Sequence, residues 1–370
     1  MDQSAASIPS GYSTVDNPSS RLYTLAKQLV FRLSKWTGLF GIASRRTGQL
    51  LRILCYHGFS IEDEDGFRPR LFMRPSTFHR RLEYLRRNSF PVLSLDRALD
   101  GLADGTLPPR ATVITVDDGF ASFYRHAVPL LREFSFPATV YVATSDFLRG
   151  QPIFRLAVQY MFWKTRVNLL RLDNLVGTTR GQNASASRKD FARLTWDVVR
   201  YGDSFDSDAQ RTALVSELGR RLNCDYQYIV NNRLFCLMNS DELSNLSKFD
   251  IDVQLHTHNH RFPDDPNLAQ EEIRKNIEVL TPYSKKALRH FCYPSGIWSE
   301  GHWPALTAVG IRSAMTCEPG LSSSLTRPFA MTRFLDGEDI RQVEFEAEMH
   351  GYSELLRRAR VYVTHMASSH

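Results

Sequence analysis

Asp117 and Asp118 stand side by side at the end of a β-branched run, Thr112-Val113-Ile114-Thr115-Val116, and Gly119 follows at once. Such a run reads as a buried strand. Two carboxylates at its end repel one another, and burial disfavours their charge. A divalent cation relieves both costs: one carboxylate ligates it and the other stays free as a base, while Gly119 lets the chain turn sharply. The same three residues also spell a common turn. A second cluster, His256-Thr257-His258-Asn259-His260, closes the strand-like segment 251–255. His256 and His260 are four apart, which on a helical turn sets both imidazoles on one side, as metal ligands need. On such a turn His258 points away, and Thr257 hydrogen-bonds the local backbone. A solvated histidine cluster is the plainer alternative. In Phe291-Cys292-Tyr293-Pro294-Ser295-Gly296, the turn around Ser295 is able to present backbone N–H groups to an oxyanion.

These motifs need strands that end on one side of a sheet. Segments 51–56, 112–116, 138–142, 251–255 and 288–292 read as strands, with shorter ones at 91–93, 311–316 and 331–334. A helix at 122–133 makes a strand–helix–strand unit with its neighbours, which requires a parallel sheet. Further helices are expected at 76–88, 95–102, 240–246 and 270–280. All three motifs fall at C-terminal strand ends, the face on which a β/α barrel gathers its active site. Residues 150–240 form a helical excursion, patterned at 153–170, 191–200 and 208–222, that reads as a lid or substrate wall. Its polar segment 177–190 reads as a mobile loop.

Residues 1–20, rich in Ser and Pro, read as disordered. Residues 21–48 read as one or two basic amphipathic helices: Leu22, Leu25, Ala26, Leu29, Val30, Leu33 and Trp36 recur at helical spacing among Arg21, Lys27, Arg32 and Lys35. Gly38 and Gly41 are the expected breaks. Packing on the catalytic domain and peripheral contact with a membrane surface both suit that pattern. The barrel is expected over 49–345, and a basic helix and tail over 346–370. The 46 Lys and Arg against 40 Asp and Glu leave a net charge of +6, but no basic-aromatic motif accompanies it, so nucleic acid is not an expected partner. Five scattered cysteines with no CxxC pair argue against a disulfide framework or a zinc knuckle. No apolar run reaches the ~18 residues of a membrane span. No secretory signal pattern is present, so the expectation is a cytoplasmic chain, in one variant peripheral at the inner face of the membrane. Nothing in the pattern marks an oligomeric state.

In this order the segments resemble the NodB-homology polysaccharide deacetylase family, carbohydrate esterase family 4, and within it the exopolysaccharide-type branch. Thr115-Val116-Asp117-Asp118-Gly119 matches its T-F-D-D-G motif, and His256-Thr257-His258-Asn259-His260 its H-S/T-x-x-H motif. Leu54-Cys55-Tyr56-His57 and Ala138-Thr139-Val140-Tyr141-Val142 resemble flanking strands. The joint match is specific where either motif alone is not. The resemblance implies an α/β fold, a distorted (β/α) barrel of about seven parallel strands with the helical insertion. It implies removal of N-acetyl or N-formyl groups from an amino sugar in a polysaccharide or lipid-linked saccharide. One divalent metal, zinc first, with cobalt, nickel or iron as alternatives, would be held by Asp118, His256 and His260. Asp117 would be the general base toward a metal-bound water, and the Ser295 backbone an oxyanion donor. Two departures stand out. Cys292-Tyr293-Pro294-Ser295 replaces an R-x-P-Y pattern, so the arginine that orients the base is read as missing. The late leucine-x-histidine motif has no counterpart in Met331-Thr332-Arg333-Phe334-Leu335, which leaves His57 as the candidate acid, with a structural histidine as its other reading. These departures motivate a rival, a non-catalytic carbohydrate-binding relative. No GxSxG elbow supports a serine hydrolase.

Overall fold

Seven short strands of β-branched and apolar residues build the centre of the molecule, a computed structural model that describes residues 18–173, 175 and 185–368. They are β1 (Arg52–Tyr56), β2 (Thr112–Val116), β3 (Ala138–Val142), β4 (Ile251–Leu255), β5 (His290–Cys292), β6 (Ser313–Met315) and β7 (Phe334–Leu335). Their order is β6-β5-β4-β3-β2-β1-β7, and every pairing is parallel. The segment 331–335 touches both edges of the sheet. Met331 bridges to Met315 beside β6, while Phe334 and Leu335 pair with Leu54 and Cys55 of β1. That double attachment curls the sheet into a barrel-like arc.

Alternation along the strands sorts the side chains. Leu54, Tyr56, Ile114, Val116, Val140, Val142, Val253 and Leu255 pack outward in the main hydrophobic core. Ile53, Val113, Tyr141, Cys292, Met315 and Met331 gather in a second, inner cluster. Cys55, Thr115 and Gln254 share the inner parity and are fully buried. Only Val92 of the expected strand at 91–93 pairs, through a single bridge to Thr112.

Two helices precede β1: α1 (Pro18–Trp36) and α2 (Leu39–Arg46). α1 starts inside the stretch expected to be disordered, with Pro18 at its first position, where a missing N–H costs nothing; residues 1–17 lie outside the described residues. Gly38, at φ 80°, separates the helices. Gly41 does not break the chain, since one interior glycine costs a helix only about 1 kcal/mol. α3 (Pro75–Arg87), α4 (Leu95–Asp104) and α5 (Pro266–Leu280) flank the barrel, and α6 (Gln342–Met349) and α7 (Tyr352–Ser368) close the chain. One face of α1 and α2 packs on this last pair. Phe31 and Phe40 meet Ala347, Lys27 and Lys35 pair with Glu344 and Glu346, and Ser34 bonds Tyr352.

The excursion between β3 and β4 is helical, with Phe154–Lys164, Phe191–Asp203 and Asp208–Leu222 as its longest helices. Part of the loop expected at 177–190 is ordered: Ser185–Ser187 pairs antiparallel with Leu169–Arg171, and Arg188–Asp190 is a 3-10 turn. The rest of that loop, 177–184, lies outside the described residues. The excursion ends by gripping the turn after β2, where Met238 N–H bonds Gly119 O and Ala121 N–H bonds Cys236 O.

Candidate active site

The Asp117-Asp118-Gly119 turn is held from every side. Asp117 N–H extends the β1 pairing by donating to Tyr56 O at 2.9 Å, and Gly119 N–H turns back to Asp117 O at 2.8 Å. Asp118 and Gly119 both take left-handed backbone, φ 69° and 86°. A Cβ at Gly119 would press on Val142 at 3.1 Å, so the turn needs glycine for both space and conformation.

The histidine loop is not the helical turn its spacing suggests. The chain leaves β4 extended and then reverses through Thr257 at φ 63° and His260 at φ 51°. Side-chain hydrogen bonds replace the missing helical ones. Thr257 Oγ1 accepts from Arg261 N–H, and the buried Glu272 carboxylate takes both Asn259 N–H and its side-chain amide at 2.8 and 2.7 Å. One turn on in α5, buried Asn276 accepts His256 N–H at 2.9 Å and donates to Val142 O and Thr144 Oγ1. His258 turns to Thr144 Oγ1 at 2.9 Å, away from the other two histidines.

Together these two loops bring Asp118, His256 and His260 to one point. Asp118 Oδ1 lies 3.2 Å from His256 Nε2 and 3.1 Å from His260 Nε2. The three ligand atoms lie within 4.8 Å of one another. His256 Nδ1 is 2.8 Å from Cys292 O. A carbonyl only accepts, so Nδ1 carries a proton and fixes the ring, with Nε2 facing the Asp118 carboxylate. There Nε2 donates to Asp118 when it is protonated, and turns its lone pair to a cation when one is bound. Two imidazoles and a carboxylate, one imidazole anchored through its far nitrogen, are the donor set of a zinc-like divalent cation. The residues present therefore fit the implied metal. Two further sets, Cys55-His57-Asp117 and Asp117-His256-Cys292, are equally compact. Both contain Asp117, whose charge is already answered by Arg333, and burial pushes the thiols of Cys55 and Cys292 well up, so they stay protonated.

Arg333 corrects the sequence reading of a missing arginine. It comes from the segment that joins the two edges of the sheet and reaches inward. Nη1 donates to Asp117 Oδ1 at 2.7 Å and Nη2 to Oδ2 at 2.8 Å, while Nε donates to Thr316 O. Cys55 and Cys292 thiols add contacts to Oδ2 at 3.4 and 3.3 Å. Burial alone would raise the Asp117 carboxyl, but the Arg333 charge and hydrogen bonds hold it well below the usual carboxylate range. Oδ2 is thus saturated, and among the described contacts Oδ1 keeps a lone pair. His57 places Nε2 at 3.8 Å from Asp117 Oδ2, beyond hydrogen-bond length, and its Nδ1 is buried without a partner. Ser295 sits in the Pro294–Gly296 turn with φ 56° and an exposed side chain. Arg333, Glu272 and Asn276 escaped the motif reading. The one signal for each was a polar residue at a position that periodicity assigns to the interior.

A curled parallel sheet with a carboxylate and two imidazoles at its C-terminal edge, beside an arginine-fixed carboxylate, defines a β/α barrel protein with a candidate metal site at that edge. Comparison with known proteins narrows this: the family model described as polysaccharide deacetylase matches residues 205–314. That range holds the histidine loop and the Ser295 turn. The poly-beta-1,6-N-acetyl-D-glucosamine N-deacetylase of Escherichia coli (strain K12) is 32% identical over 80 residues, 21% of this chain and 12% of that protein, so the match spans about an eighth of the relative. The fold is shared with solved structures. The deacetylase PplD of Streptococcus pyogenes, in complex with acetate, superposes with a TM-score of 0.54 at 15% identity, covering 81% of this chain and 98% of that one. IcaB from Ammonifex degensii superposes with a TM-score of 0.52 at 17% identity, covering 81% and 97%. The chain is thus similar to the polysaccharide deacetylases in sequence over residues 205–314, and it shares its fold with solved deacetylase structures over most of its length.

Proposed function

We propose that this protein hydrolyses the N-acetyl group of an amino sugar within a polysaccharide, using one divalent cation held by Asp118, His256 and His260. One observation carries the reading: Asp118 presents a single oxygen to two histidine nitrogens at 3.1 and 3.2 Å, next to a second carboxylate, Asp117, that is held by Arg333. A binding module has no use for that second, fixed carboxylate. The cation, when bound, supplies a Lewis acid that polarises an amide carbonyl and acidifies water. Every other part belongs to the chain. Asp117, kept ionised by Arg333, orients the attacking water and accepts its proton on Oδ1. The Ser295 backbone N–H, the one donor of its turn not spent within the turn, is offered to the developing oxyanion. His57, whose Nε2 lies 3.8 Å from Asp117 Oδ2, donates the proton that the departing amine needs. The products are acetate and a free amino sugar.

The relative's name makes β-1,6-linked N-acetylglucosamine the first substrate to test, with N-formyl and lipid-linked saccharides as comparisons. Acetate release and metal content are measured together, for the native chain and for Asp117→Asn. The proposal expects release that disappears in Asp117→Asn while the metal stays bound. A native chain that binds the saccharide and a metal but releases no acyl group from any of these substrates would be a carbohydrate-binding relative, and the proposal would fall.

A further inference from the structure

Among the described residues, the outer face of the two N-terminal helices has no partner. Leu25, Leu29, Leu33 and Trp36 lie along one side of α1, each at least half exposed and Trp36 at 85%, and Leu39 and Ile42 continue the strip onto α2. The opposite side of α1 is the one that packs on α6 and α7. An apolar strip that long on a soluble surface marks a contact site.

Charge decides what contacts it. No Asp or Glu occurs anywhere from residue 17 to residue 61. The inward lysines, Lys27 and Lys35, are spent on Glu344 and Glu346. Arg32, Arg45 and Arg46 are exposed, and among the described residues none of them meets a carboxylate. Arg32 lies on the same side of α1 as Leu25 and Trp36, and Arg46 falls between Leu39 and Ile42 around α2. Two copies meeting face to face through this surface would bring arginine against arginine. An anionic bilayer surface answers both features: its headgroups pair with the arginines, and its acyl boundary takes the leucines and the tryptophan, which favours that depth. Among the described residues no helix is long and apolar enough to cross a membrane.

We infer that α1 and α2 lie flat on an anionic phospholipid surface, apolar strip inward, and carry the barrel as a peripheral protein. Vesicle flotation of the full chain tests this with phosphatidylcholine alone and with phosphatidylcholine mixed with phosphatidylglycerol. The chain is expected to float with the anionic vesicles only, and less as salt rises. Arg32→Glu/Arg45→Glu/Arg46→Glu and, separately, Leu29→Glu/Leu33→Glu should each lower partitioning at least about tenfold. Both sets are exposed, so melting temperatures should hold and certify folding. Light scattering in solution is the second arm. Failure of the native chain to float on anionic vesicles overturns the inference. So does a native dimer that Leu29→Glu/Leu33→Glu splits without changing flotation, which would make the strip an interface between copies.

Discussion

Arg333 holds Asp117 with both terminal guanidinium nitrogens, at 2.7 and 2.8 Å, in a setting where neither side chain is more than 3% exposed. A lysine keeps the charge but loses the fork. Arg333→Lys should therefore retain metal and lose acetate release by about a hundredfold, through a base that is charged but misaligned. Arg333→Ala should go further and cost about 3–5 kcal/mol of stability, because it strands a buried carboxylate. Metal analysis, kinetics and chemical denaturation separate these. An Arg333→Lys variant with native activity would remove the guanidinium from the proposed mechanism.

That pair explains where reading the sequence stopped. The strands ending in Asp117 and His256 were legible because β-branched runs lead straight into rare polar clusters, and a buried strand that ends so has few uses. Arg333 lies 216 residues from Asp117, in a stretch whose lack of histidine looked like a deficit. Only the attachment of 331–335 to both edges of the sheet shows that position 333 faces inward. The histidine loop is legible in the residues it brings together and not in its backbone. Spacing of four suggested a helical turn, whereas left-handed Thr257 and His260, tied to Glu272, bring the rings together another way.

Glu272 and Asn276, both buried, set the histidine loop. Asn276→Ala removes the acceptor for His256 N–H, and Glu272→Gln weakens the hold on Asn259. Supporting partners of metal ligands typically govern 10–100-fold in affinity. Asn276→Ala should lower zinc affinity within about that range, measured by competition with a chromophoric chelator, while the far-ultraviolet dichroism stays native. Unchanged affinity would mean that the loop holds its shape without α5.

His350 gives the fold a pH dependence away from the site. Its Nε2 bonds Tyr84 OH at 2.9 Å, Nδ1 is buried without a partner, and the ring lies against Phe40 and Phe90. Burial, then the charges of Arg110 and Arg52, push its pKa down to about 4. The unfolded chain takes up this proton near pH ~6.5, so between those values the unfolded state binds more protons and stability falls as pH falls. The contribution is intact above pH ~6.5 and gone below the folded value. Melting temperatures of native protein and His350→Asn should therefore converge or cross as pH drops from about 7 to 4. Parallel curves would show that His350 stays neutral or is protonated in both states.

Cys292 offers the sharpest test of how the base is held. Its thiol lies 3.3 Å from Asp117 Oδ2 and 3.1 Å from Arg333 Nη2, so the space an arginine fills from position 333 is also reachable from position 292. Arg333→Met should empty that space and silence acetate release. Adding Cys292→Arg returns a guanidinium to it from β5, at the position where the resemblance implies an arginine. The double variant should recover at least about tenfold over Arg333→Met alone, and regain part of the lost stability, because the same buried carboxylate is again paired. If Cys292→Arg adds nothing, the strand that supplies the arginine matters as much as the charge, and the geometry of the segment 331–335 is itself part of the catalytic design.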